Sequence, residues 1–123
     1  MVYSSFLRER EDTMAMTSTY TSPEPARQDV DQLGGATVIE FGAPWCGYCQ
    51  AAQAPLARAF AGHPGVRHIK IEDGKGKALG RSFRVKLWPT LVFLRDGREV
   101  ARLVRPDDAA DIERALREAG PPA

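Results

Sequence analysis

The order of apolar and helix-forming stretches predicts an α/β domain: a mixed four- to five-stranded sheet with helices on both faces. Three observations carry this. Runs dense in Val, Ile, Phe and Leu alternate with stretches dense in Ala, Leu, Arg and Gln, so strands and helices take turns along the chain. The last two strand-like runs are instead joined through Asp96-Gly97, a hairpin signal, so the sheet ends on an antiparallel pair. And 123 residues suit one domain large enough to bury a core, with no apolar stretch of bilayer-spanning length.

The chain divides into an N-terminal extension, residues 1–24, and a folded domain, residues 25–120. Thr13 to Pro25 is Thr, Ser, Met and Pro with almost no large apolar residue; it cannot bury enough surface to offset its ordering entropy and is expected to be disordered. Met14 and Met16 also offer alternative translation starts. From Glu24 the chain organises. Pro25 to Leu33 reads as a short helix with proline in its first turn and Gly34-Gly35 ending it. Thr37-Val38-Ile39-Glu40-Phe41-Gly42 is a strand rich in β-branched and aromatic residues. Gln50 to Ala61 is a helix with Pro55 inside it. His63-Pro64-Gly65 turns the chain into the alternating strand Val66 to Ile71. A polar loop, 72–76, and a short helix, Lys77 to Phe83, follow. Leu91 to Arg95 and Glu99 to Val104 form the hairpin. Asp107 to Ala119 is a helix whose apolar stripe is Ala110, Ile112, Ala115, Leu116 and Ala119, closed by Gly120-Pro121.

The chemistry is concentrated in Trp45-Cys46-Gly47-Tyr48-Cys49. Both cysteines of the chain lie in this pentapeptide, so neither thiol has another intramolecular partner. The pair stands at a strand-to-helix junction, where unpaired N–H groups and the positive dipole end favour thiolate over thiol, and the thiolate is the form that attacks disulfides. Cys46, first at the turn and exposed there, is the expected nucleophile; Cys49, one turn deeper, is the thiol that resolves the mixed disulfide. Zinc is the rival use of a Cys-X-X-Cys pair, but a closed site needs four ligands and only His63 and His68 remain as soft donors. Buried structural cysteines fit poorly with Gly47 and the aromatic flank. Glu40 is the most unusual charge: apolar neighbours Val38, Ile39 and Phe41 place it in a strand buried on both faces, where an unpartnered carboxylate is costly and its pKa is expected to rise. His63, in its turn, reads as a surface residue.

Two stretches carry a family resemblance. Glu40-Phe41-Gly42-Ala43-Pro44-Trp45-Cys46-Gly47-Tyr48-Cys49 resembles the active-site segment of the thioredoxin superfamily. Trp88-Pro89-Thr90, followed by Leu91-Val92-Phe93-Leu94 and Asp96-Gly97, resembles its second signature; the resemblance covers roughly residues 28 to 119. It implies a thioredoxin-like fold and a thiol–disulfide oxidoreductase exchanging protein disulfides, a reductase or isomerase. It implies that Glu40 stands where the family keeps a buried acid that takes the proton of the resolving cysteine. His68 falls near a lysine that pairs with that acid and is a possible proton relay. A cis bond before Pro89 is implied, with Trp45, Gly47, Tyr48, Trp88, Pro89 and Thr90 forming the substrate groove. Trp45, Tyr48 and Trp88 would make an aromatic rim. The Gly-Tyr dipeptide between the cysteines resembles that of bacterial disulfide isomerases, Pro55 lies one residue farther from Cys49 than usual, and the loop from Glu72 to Trp88 is slightly longer. Direction of exchange therefore does not transfer.

The implied partners are disulfide-containing proteins and a reductase or dithiol donor; no cofactor is needed beyond the Cys46–Cys49 disulfide, and no metal. A net charge of +1 gives no case for nucleic acid or an acidic membrane. Met1 to Phe6 runs into Arg8-Glu9-Arg10-Glu11-Asp12 without the apolar core of an export signal, so a cytoplasmic monomer is expected. The other reading is a thioredoxin-fold binding module that uses the aromatic rim, with the cysteines incidental or metal-loaded.

Overall fold

The computed structural model describes residues 16–120. Residues 1–15, most of the expected extension, lie outside the described residues, as do 121–123. The elements are α1 (Arg27–Asp31), β1 (Ala36–Gly42), α2 (Gly47–Phe60), β2 (Arg67–Glu72), α3 (Ala78–Ser82), β3 (Thr90–Arg95), β4 (Arg98–Val104) and α4 (Ala109–Ala119). Their order is the one the sequence predicts, with ends displaced by at most three residues. The sheet runs β2-β1-β3-β4, with β1 parallel to β2 and the other two pairs antiparallel.

The hairpin forms for a local reason. Arg95 pairs with Arg98, leaving Asp96 and Gly97 as a two-residue loop with φ of 51° and 82°. Two left-handed residues in succession give a turn whose twist matches that of the strands, and Asp-Gly tolerates it best. Gly97 also approaches the backbone of Asp31 so closely that a Cβ would collide with its carbonyl.

The sheet separates two apolar layers. On one face Val38, Leu91 and Phe93 pack with Leu56 and Phe60 of α2 and Ile112 and Leu116 of α4. On the other Ile39, Phe41, Ile69, Ile71, Val92 and Leu94 pack with Val30 of α1 and Leu79 of α3. All seven residues of β1 are buried, as a strand covered on both faces requires. Alternation sends Val38 and Glu40 to the α2 face together, and pairing sets Val38 beside His68 and Glu40 beside Lys70. The face that is apolar at one end of β1 thus turns charged at the end nearest Cys49.

Residues 16–24 depart from the expectation of disorder. Tyr20 bridges Lys70 in parallel along the free edge of β2, and the Thr21 N–H donates to the Lys70 carbonyl at 2.8 Å. Thr17 and Thr21 are buried, and Met16 packs against the α2 layer. Composition missed this because the segment is held by backbone hydrogen bonds to an edge strand rather than by apolar burial of its own.

Candidate active site

The strand-to-helix junction builds the site. The Cys46 N–H donates to the Ala43 carbonyl at 3.2 Å, turning the chain, and Cys46 becomes the N-cap of α2. Its sulfur accepts the Cys49 N–H at 3.2 Å, occupying a place usually taken by a serine or aspartate oxygen. Gln50 Nε2 donates to the Pro44 carbonyl and secures the turn from the helix side. Close packing explains Gly42: a Cβ there would meet the Cys49 sulfur at 2.6 Å.

Both sulfurs are free thiols and both are buried, Cys46 7% and Cys49 3% exposed. Cys46 is thus less open than a loop-tip cysteine was expected to be, because half-buried Trp88 packs on it; its sulfur lies 4.0 Å from the Trp88 carbonyl. Burial pushes the Cys49 thiol up to about 12, helped by its contact with Cys46 and by the Cys46 and Glu40 charges, against a backbone hydrogen bond from Ala43. Cys49 at neutral pH is a thiol that needs a proton acceptor before it can act.

The Trp88–Pro89 peptide is cis. Trp45 and Trp88 meet edge to face with centroids 5.5 Å apart, and Trp88 Nε1 donates to Asp73 Oδ2 at 3.0 Å. Trp45 and Tyr48 are 71% and 60% exposed, Gly47 is exposed between them, and Trp88 is half-buried. Pro89 is buried beneath it. Thr90 requires a correction: its side chain does not face a groove. It is 1% exposed and its hydroxyl donates to the Leu87 carbonyl at 2.6 Å, bracing the turn around Pro89.

Glu40 requires a larger one. It is buried, as expected, but not alone. His68 Nε2 is 2.9 Å from Oε1, Gln53 Nε2 donates to Oε2 at 2.9 Å, and Lys70 Nζ is 3.5 Å from Oε2. Burial by itself would raise its pKa; the hydrogen bond from His68, then Lys70 and Gln53, outweigh burial and hold the carboxyl below its ordinary value. The Thr17 backbone N–H donates to His68 Nδ1 at 2.9 Å, which makes that nitrogen an acceptor and assigns the ring proton to Nε2, facing Glu40. The ring stacks on Phe60 with centroids 4.9 Å apart. His63, by contrast, stands away from this cluster, half-buried with Nε2 3.6 Å from Glu113.

Gln53 and Lys70 were missed in the sequence, yet both had a signal. Gln53 follows Cys49 by four residues on one face of α2, and its amide also donates to the Cys49 carbonyl at 2.8 Å. Lys70 follows His68 by two and so shares its face of β2; its Nζ donates to Gln53 Oε1 at 3.1 Å. A hollow of about 90 Å³, lined by Tyr20, Ala43, Pro44, Cys49, Gln50, Gln53 and Lys70, joins Cys49 to the edge of this network. Its size admits water beside Cys49. No group of three or more metal-binding side chains occurs among the described residues.

Comparison with known proteins agrees with this geometry. The Thioredoxin family model matches residues 18–118. Thioredoxin 2 from Pseudomonas aeruginosa PAO1, in its reduced form, superimposes with a TM-score of 0.72 at 59% identity, over 81% of this chain and 93% of that one. A thioredoxin H-type from Oryza sativa subsp. indica is 30% identical over 79 residues, and thioredoxin H-type 1 from Nicotiana tabacum 36% identical over 67. Those alignments take in 63% and 54% of this chain, and 65% and 53% of those relatives' own length.

Proposed function

The chain belongs to the thioredoxin family of thiol–disulfide oxidoreductases, and from that premise we propose that it reduces or isomerises disulfides in other proteins through Cys46 and Cys49. The observation that carries the reading is an ordered dithiol: one sulfur capping a helix, the other buried above a partnered carboxylate. Cys46 attacks a substrate disulfide, forming a mixed disulfide and releasing one substrate thiolate. Cys49 gives up its proton toward Glu40, directly or through water in the adjoining hollow, and attacks the Cys46 sulfur. The second substrate thiol leaves, and the chain carries away a Cys46–Cys49 disulfide, two electrons having passed to the substrate. A reductase or dithiol donor returns them.

In this scheme His68 is a positioning residue rather than a carrier, since both its ring nitrogens are engaged. Trp45, Gly47, Tyr48 and Trp88 supply the substrate surface. The Trp88 backbone, ahead of a buried proline, offers an edge for an extended substrate strand. The binding-module alternative is not favoured, because an aromatic rim alone does not call for a buried charge network beneath the second thiol.

We read the direction of exchange as reductive, because the chain belongs to the thioredoxin family and thioredoxin is a low-potential dithiol. Equilibration with glutathione buffers, read by Trp fluorescence, is expected to place the potential nearer roughly −270 mV than −120 mV. A value near roughly −120 mV would mark an oxidase and overturn this direction.

We place the work in the cytoplasm: the only two cysteines are the redox pair, and a domain that spends none on structural bridges suits a reducing compartment. No helix of the described residues is long and apolar enough to cross a membrane. We also read the chain as a monomer. Trp45, Tyr48, Leu87 and Val104, four of the five exposed large apolar side chains among the described residues, stand in or beside the site, where substrate needs them. Sedimentation at working concentration is expected to give a single species of 13.5 kDa, and a stable dimer would refute this.

A further inference from the structure

One residue at the rim is strained and not accounted for by the exchange chemistry. Arg105, just past β4, holds φ of 52°, a left-handed conformation that residues with a side chain rarely adopt and that clusters at binding sites. Its backbone N–H donates to the Pro89 carbonyl at 2.8 Å, and its Nε donates to the Trp88 carbonyl at 2.8 Å. Its guanidinium carbon lies 3.9 Å from the centre of the Tyr48 ring. The Cys46 sulfur approaches that same Trp88 carbonyl at 4.0 Å. The cation is therefore fixed beside the reacting sulfur by a ring on one side and a carbonyl on another.

We propose that Arg105 determines specificity, selecting disulfides whose cysteine is flanked by Asp or Glu. Anchoring uses Nε and the ring face, which leaves the two terminal amino groups unengaged among the described residues. Arg105 enters none of the ion pairs found there, and it is exposed. A planar fork held in place and unoccupied matches a carboxylate in two parallel hydrogen bonds, and less side-chain entropy is lost because the anchors have already restricted it. Arg105 also occupies the Trp88 carbonyl that an incoming strand would use. A substrate carboxylate fills the fork while the anchors hold; a lysine in its place is repelled. The inference rests on the proposed disulfide exchange: Cys46 and Cys49 thiols become a disulfide as the substrate disulfide becomes two thiols.

The test uses the reduced full chain and three symmetric peptide disulfides, with Glu, Lys or Ser on both sides of the cysteine. Oxidation of the chain is followed by Trp fluorescence in a stopped-flow instrument. The wild type is expected to react about fivefold or more faster with the Glu peptide than with the Lys peptide, the ratio shrinking with added salt. Arg105→Gly, which also relieves the left-handed strain, is expected to bring the ratio near one. Arg105→Lys should keep part of it and Arg105→Glu invert it. Arg98→Ser, which removes an equal charge at the far end of β4, should leave the ratio as in the wild type. Because each ratio is internal to one variant, a change in stability cancels. An equal rate with both charged peptides, or a ratio that survives Arg105→Gly, overturns the proposal. Failure of the wild type to react with the Ser peptide would instead strike at the exchange reading itself.

Discussion

Cys46→Ser is expected to lower protein-disulfide reduction by about 10³-fold or more, while Cys49→Ser accumulates stable mixed disulfides with substrate proteins. The two losses differ because the sulfurs differ in place. Cys46 caps α2 at the rim, within reach of a substrate disulfide; Cys49 sits one turn deeper under Gly42, where substrate cannot follow. Without Cys46 no first attack occurs and nothing is trapped. Without Cys49 the first attack proceeds and the complex waits. The order also governs alkylation. A Cys49 thiol near 12 leaves on the order of one molecule in 10⁵ as thiolate at pH 7, so iodoacetamide is expected to label Cys46 first. Peptide mapping of singly labelled protein checks this, and label on Cys49 first, or equal trapping by both variants, defeats the ordered pair.

The element order and the dithiol were legible because both are local. Periodicity within a strand or helix, an Asp-Gly turn and two cysteines at one junction need no knowledge of what lies opposite. What was not legible depends on pairing. Glu40 reads as an isolated buried charge along its own strand; only the parallel register of β1 on β2 puts His68 and Lys70 on the same face, and only the rotation of α2 brings Gln53 down to it. The segment 16–24 was missed for the same reason, since its order comes from the edge of β2. Thr90 looks like a groove residue in a Trp-Pro-Thr string, but whether its hydroxyl turns out or back to Leu87 is decided by the turn around Pro89. Arg105 carries no signal in sequence: neither its φ nor its neighbours Tyr48 and Trp88 can be read from a position 57 and 17 residues away.

Partnering reverses what replacement of Glu40 should do. Were it an unpaired buried acid, Glu40→Gln would remove a desolvation cost and stabilise the fold. It is instead the anion of a network, and Lys70, 6% exposed, would be left with Gln53 and the Tyr20 ring but no ion-pair partner among the described residues. Breaking a buried pair from one side costs about 3–5 kcal/mol; the replacement amide can still accept from His68, so about 3 kcal/mol is expected. The loss should depend on pH. The folded-state pKa of Glu40 lies below its ordinary 4.5, so its contribution is present above the unfolded value and disappears as pH falls through the folded one. The wild type is therefore expected to lose stability on acidification below about pH 4.5 more steeply than Glu40→Gln, the two urea midpoints converging toward low pH. Catalysis should suffer separately. With Glu40 held below its ordinary value and Cys49 pushed up to about 12, complete transfer is uphill, so Glu40 serves as a transient acceptor while the Cys49 sulfur attacks. Its loss is expected to slow resolution of the mixed disulfide by about 10²-fold, while Cys46 still makes the first attack. Single-turnover kinetics separate the two steps. A variant as stable as the wild type at pH 7 would show that the network does not hold the fold. Unchanged resolution would show that Cys49 sheds its proton by another route.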